Sequence, residues 1–243
     1  MSNQLNVDIE KHFLSKEITK YCQKLDQKGF GANHDGNITV KCFDQLLATP
    51  TAVSKGNIIP EMVITLDMQG SKIAGVGKPF SEIKLHLAAY LERKDIKAVV
   101  HAHPPFATAR GLLNLPIIPN IPEAVVSLGD IVPVIKPSES AVTEFLQQAD
   151  VFMIAGNGVL AVGDSIEQAY LRLELVEHLA KIDCYAKMMG GNCLEIKNDE
   201  MATLLQKRVA AGLGPKKRKP KANDSEIESI KKIIADELKI LLR

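Results

Sequence analysis

IKAVVHAHP (residues 96–104) is an apolar run that ends in two histidines one residue apart and then in proline. Such a run predicts a buried strand. Residues i and i+2 of a strand face the same side, so His101 and His103 project together, about 7 Å apart at the Cα level. Pro104 and Pro105 cannot continue the ladder, which leaves the pair at a strand end, where open sheets usually bind ligands. Two neutral imidazoles so placed suit two corners of a divalent-metal site, Zn²⁺ above all.

Outward from this strand, the chain alternates helical and extended patterns. Residues 8–28 read as a helix ending at Gly29 and Gly31. Residues 37–43 and 61–70 read as strands, the latter running into a turn followed by KIAGVG. Ser81 predicts an N-cap for a helix from Glu82 to about Arg93. Residues 130–136 read as a strand, 139–149 as a helix, 151–162 as one buried strand, and 165–189 as a long helix closed by Gly190 and Gly191. This mixture predicts a three-layer α/β sandwich around one central sheet.

The 243 residues can bury a real core, and 46% apolar with 24% charged residues is ordinary globular composition. A formal charge of +1 points to no nucleic-acid partner. No apolar run approaches the roughly 18 residues a membrane span needs, and no secretory signal is visible, so a cytoplasmic protein is expected. Cys22, Cys42, Cys184 and Cys193 lack metal-binding spacing and read as reduced thiols.

Glu82 is the second candidate for chemistry. A helix N-terminus favours its ionised form, whereas burial beside a metal opposes it. A carboxylate between those influences can exchange a proton with carbon next to a polarised carbonyl.

GNIT (36–39), TPTAVSKG (49–56), GKPFSE (77–82), AVVHAHPPFA (98–107), PEAV (122–125) and GNGVLAVG (156–163) occur in order. Together they resemble the class II aldolase/adducin-head family over about residues 10–210. The resemblance implies an α/β/α sandwich whose mixed sheet is largely antiparallel, and a homotetramer with sites at subunit interfaces. It also implies Zn²⁺ or another divalent metal, Glu82 as acid/base, and a phosphate site from Asn37, Thr51 and Ser81. The implied activity is cleavage of a deoxyketose 1-phosphate, such as L-fuculose 1-phosphate, to dihydroxyacetone phosphate and an aldehyde. Epimerase, dehydratase and non-catalytic adducin-like members of the family supply the alternatives.

Three features depart from that pattern. Asn157 stands where a third histidine ligand is expected, so Glu82 or another histidine must complete the site, or the metal is weak or absent. His178 is the candidate histidine. From Asn157 the strand advances about 16 Å, and the helix returns about 20 Å to His178, beside Leu175, Val176, Leu179 and Ile182. Phe80 replaces a hydroxyl donor, and Ala52 stands where glycine is frequent. Glu123 is open to a polar or a salt-bridging role. His12, His34 and His86 read as ordinary surface or helix residues.

Three segments follow from composition: a catalytic body over 1–211, a flexible basic linker over 212–224, and an amphipathic helix over 225–243. In that helix Ile227, Ile230, Ile234, Leu238 and Leu241 form one stripe. This arrangement looks like the encapsulation peptides of bacterial microcompartment enzymes, which implies a shell or cargo partner.

Overall fold

The computed structural model describes residues 2–191 and 193–215. The predicted helix over 225–243 and most of the linker before it lie outside the described residues.

One sheet runs through the molecule. Its strands are β1 (Asn37–Cys42), β2 (Gln45–Ala48), β3 (Ile64–Leu66), β4 (Lys72–Ala74), β5 (Ala98–Ala102), β6 (Val134–Ile135), β7 (Val151–Ile154) and β8 (Val159–Gly163). They lie in the order β4-β3-β2-β1-β5-β8-β7-β6. Every pairing is antiparallel except β6 with β7. The helices are α1 (Ser2–Gln27), α2 (Ile83–Glu92), α3 (Pro105–Leu112), α4 (Pro122–Leu128), α5 (Glu139–Phe145), α6 (Ile166–Met188) and α7 (Asn198–Ala210).

Strand alternation divides the core in two. Ile38 and Val40 of β1, Ala98, Val100 and Ala102 of β5, and Val159 and Ala161 of β8 join α1 and α6 on one face. Val99, Leu160, Val162 and Phe152 point the other way and join α2 and α5. Both faces are therefore covered, which explains why β7 and β8 are apolar throughout rather than alternating, and β5 is so up to His101. This is the expected three-layer sandwich. Burying each large apolar side chain contributes roughly 1.5–3 kcal/mol relative to leaving it exposed.

Several elements differ from the sequence reading. Residues 151–162 form not one strand but the hairpin β7–β8, because Gly156 and Gly158 take φ of +73° and +71° and turn the chain. Ile154 and Gly158 close that turn with a 2.8 Å backbone bond. The strand expected over 130–136 is cut to β6, since Pro133 lacks the N–H a ladder needs. Helices α3 and α4 each begin on a proline at the first helical position, where no N–H is required. Ser165 caps α6, its side chain accepting from the Gln168 N–H. Ser81 does not cap α2: Glu82 occupies that position, and no side chain caps the helix. Among the described residues, the four cysteines are free thiols and no helix is long and apolar enough to cross a membrane.

Candidate active site

His101 and His103 have the same strand parity as Val99, so they lie on the α2 face of the sheet, at the end of β5. Asn37 of β1 pairs with His101. Both histidines, Asn37, Thr51, Ser81 and Glu82 line one cavity of about 200 Å³. Six of the seven residues expected at the site are thus brought together.

The two imidazoles face each other through Nε2, 3.2 Å apart. His101 is buried, and its Nδ1–H donates to the Val159 carbonyl at 3.0 Å. This bond fixes the tautomer and leaves Nε2 bare. Nδ1 of His103 lies 3.4 Å from the Asp35 carboxylate, which favours the same tautomer. Burial, and then the neighbouring His103, hold the pKa of His101 down at about 4, against an upward pull from Glu82. Two bare nitrogens at this separation match one edge of a metal polyhedron: Zn–N bonds of about 2.0–2.1 Å give a tetrahedral edge of about 3.3–3.4 Å. The chemistry and spacing of the pair therefore fit a divalent cation.

Backbone geometry locks the pair in place. The His103 N–H donates to the Phe30 carbonyl at 2.7 Å. A Cβ on Gly158 would overlap the Ala102 carbonyl and lie 2.5 Å from His103 Cδ2. A Cβ on Gly36 would meet the His101 carbonyl at 3.0 Å.

The expected third histidine is elsewhere. α6 packs against the face of the sheet opposite the imidazole pair, and His178 points outward from it. It is exposed in a separate groove of about 690 Å³ with Leu171, Leu175 and Ser127. Distance along the helix does not decide the matter: α6 covers the other face of the sheet, so His178 cannot reach the imidazole pair. Among the described residues, no three His, Cys, Asp or Glu side chains gather as a ligand cluster. Glu82 shares the cavity and acts on His101 through its charge, and Ser81 donates a 3.0 Å hydrogen bond to its carboxylate.

Asn37 is 4% exposed and its Oδ1 has no hydrogen-bond partner among the described residues, so the site holds a polar end that a ligand can satisfy. Thr51 spends its backbone N–H on the Lys78 carbonyl, leaving its side chain for a ligand. Ala52 adopts φ +60°, the left-handed conformation that explains why glycine suits this position. Phe80 is buried, edge-on to His86.

His86 is not a surface residue. It is fully buried, bonded to Thr39 at 2.8 Å, and held well below the ordinary histidine range by burial and then by His101. His34, Asp35 and Lys55 also line the cavity, and none was expected there. No sequence signal marks Asp35: the register that sets Asn37 opposite His101 carries it to His103. Glu123 is exposed on α4 and lines none of this cavity.

The chain belongs to the Class II Aldolase and Adducin N-terminal domain family, whose model matches residues 16–184. A 3-oxo-tetronate 4-phosphate decarboxylase of Escherichia coli O6:H1 is 32% identical over 181 residues, covering 70% of this chain and 85% of the relative. An L-fuculose phosphate aldolase of Methanocaldococcus jannaschii is 30% identical over 174 residues, covering 69% and 93%. The solved structure of an L-fuculose 1-phosphate aldolase superposes with a TM-score of 0.72 at 26% identity, covering 79% of this chain and 94% of that one.

Proposed function

We propose that this chain is a divalent-metal-dependent carbon–carbon lyase acting on a phosphorylated ketone, and that its substrate is a deoxyketose 1-phosphate such as L-fuculose 1-phosphate. The products are dihydroxyacetone phosphate and an aldehyde. The observation that carries this reading is the 3.2 Å approach of His101 and His103 through Nε2, with Glu82 in the same cavity.

His101 and His103 would hold the cation, oriented by the Val159 carbonyl and by Asp35. A divalent cation bound there supplies Lewis-acid stabilisation of charge on the ketone oxygen. Breaking the carbon–carbon bond leaves an electron pair on the carbon beside the ketone, and Glu82 is the carboxyl group in the cavity that can return a proton to it. Ser81 orients Glu82 through its hydrogen bond. Asn37 and Thr51 would supply neutral side-chain donors for the phosphate, and Ser81, whose hydroxyl proton is committed to Glu82, would contribute its backbone N–H.

A second reading, loss of CO₂ from 3-oxo-tetronate 4-phosphate, is favoured by the relative that is 32% identical. The two reactions are close. Each leaves its electron pair beside the ketone and yields dihydroxyacetone phosphate after protonation. They differ in one proton: aldol cleavage also removes the hydroxyl proton of the departing carbon, whereas CO₂ departs without that step.

The test is dihydroxyacetone phosphate release from each substrate by the zinc-supplied protein, followed with a coupled reductase. Release from L-fuculose 1-phosphate supports the aldolase. Release from the keto acid alone replaces it with the decarboxylase. No release from either leaves the epimerase, dehydratase and adducin-like alternatives.

A further inference from the structure

Lys55 is a charged side chain placed where charge is expensive. It is 3% exposed, and its ammonium donates to two backbone carbonyls, Val53 at 2.7 Å and His34 at 3.2 Å. No carboxylate lies within ion-pair distance of it among the described residues. An ammonium has three N–H donors, so one is left over. A buried cation without a counter-charge costs several kcal/mol unless something anionic comes to it.

The cavity explains what that anion is. Lys55 lines it beside Asn37 and Thr51, and among the described residues it is the only lysine or arginine to do so. The full negative charges on the same walls are Asp35 and Glu82. The two carboxylates already balance a divalent cation held by His101 and His103, so an entering phosphate dianion needs a protein cation as well as neutral hydroxyl and amide donors. A fixed ammonium also gives a stronger contact than those donors, because charge-assisted hydrogen bonds are roughly twice as strong as neutral ones.

We infer that Lys55 is the cationic contact for the phosphate of the substrate, completing a subsite otherwise built from Asn37, Thr51 and Ser81. This rests on the reading of the cavity as a site for a phosphorylated ketone. Burial lowers the pKa of Lys55, against upward pulls from Cys22 and Asp35, and a bound dianion adds a further upward pull.

The test is calorimetric titration of the full-length, zinc-supplied protein with dihydroxyacetone phosphate and with dihydroxyacetone. Lys55→Met removes the charge and both carbonyl contacts. Lys55→Gln removes the charge but keeps a donor for the carbonyls, and Lys55→Arg keeps both. Lys55→Met and Lys55→Gln are expected to weaken dihydroxyacetone phosphate binding about 10- to 100-fold while leaving dihydroxyacetone binding and zinc content unchanged. Lys55→Arg is expected to retain most of the affinity. Wild-type affinity in Lys55→Gln overturns the inference, and so does equal weakening of both ligands, which marks Lys55 as a loop-pinning residue. A wild-type protein that binds no dihydroxyacetone phosphate instead overturns the functional reading on which the inference rests.

Discussion

The Asp35 carboxylate stands 3.4 Å from Nδ1 of His103, two residues beyond the point where Asn37 pairs with His101. It is half-exposed and packs into no core, so its contact with the imidazole can be tested without unfolding the chain. Orienting partners of this kind typically account for 10- to 100-fold in metal affinity. Asp35→Asn is expected to weaken zinc binding by about that factor with little change in melting temperature. Competition against a chelator measures it, and unchanged affinity removes Asp35 from the site.

Gly158 carries a steric prediction. Its φ of +71° disfavours any side chain, and an added Cβ would strike the Ala102 carbonyl and the His103 ring. Gly158→Ala is expected to destabilise the fold by at least about 2 kcal/mol and to displace His103. A urea transition at the wild-type midpoint would contradict this.

Away from the cavity, Asp150 is fully buried and gathers three guanidinium groups: Arg93 at 2.7 Å, Arg172 at 2.9 Å and Arg208 at 2.9 Å. They come from the end of α2, from α6 and from α7, so one carboxylate ties these helices to the sheet. Asp150→Ala would leave buried cations uncompensated, at a cost of about 3–5 kcal/mol. Equilibrium unfolding checks the magnitude. A loss under 1 kcal/mol would show that water reaches the cluster.

His101 gives the metal-free protein an acid sensitivity. Its folded pKa of about 4 lies below the ordinary 6.5, so the unfolded chain takes up a proton that the folded chain refuses. Stability is therefore complete above pH 6.5 and falls as pH drops toward 4, by about 3 kcal/mol from this group alone. His86, also held down, acts in the same direction. Urea midpoints at pH 7 and pH 4.5 should differ accordingly, and His101→Leu should flatten the difference.

Local pattern made much of this architecture readable. Period-two spacing placed His101 and His103 side by side at a strand end, and the prolines after them marked where the strand stops. Apolar runs on strands buried from both sides concealed other features. The β7–β8 turn lies inside a run that looks like one strand, and only its two glycines mark the reversal. His178 misled because Val176 and Leu179 beside it are buried in the core, whereas His178 itself faces outward from α6. Asp35, Lys55 and His86 were missed for a different reason. Their partners lie on other segments, so their roles depend on register and on which helix covers which face of the sheet.

Metal stoichiometry tests the central claim most directly. Dialysed against zinc and analysed by mass spectrometry, the wild-type chain is expected to retain about one equivalent, as is His178→Ala, whereas His101→Ala and His103→Ala are expected to lose it. Zinc held by His101→Ala but lost from His178→Ala would contradict the account.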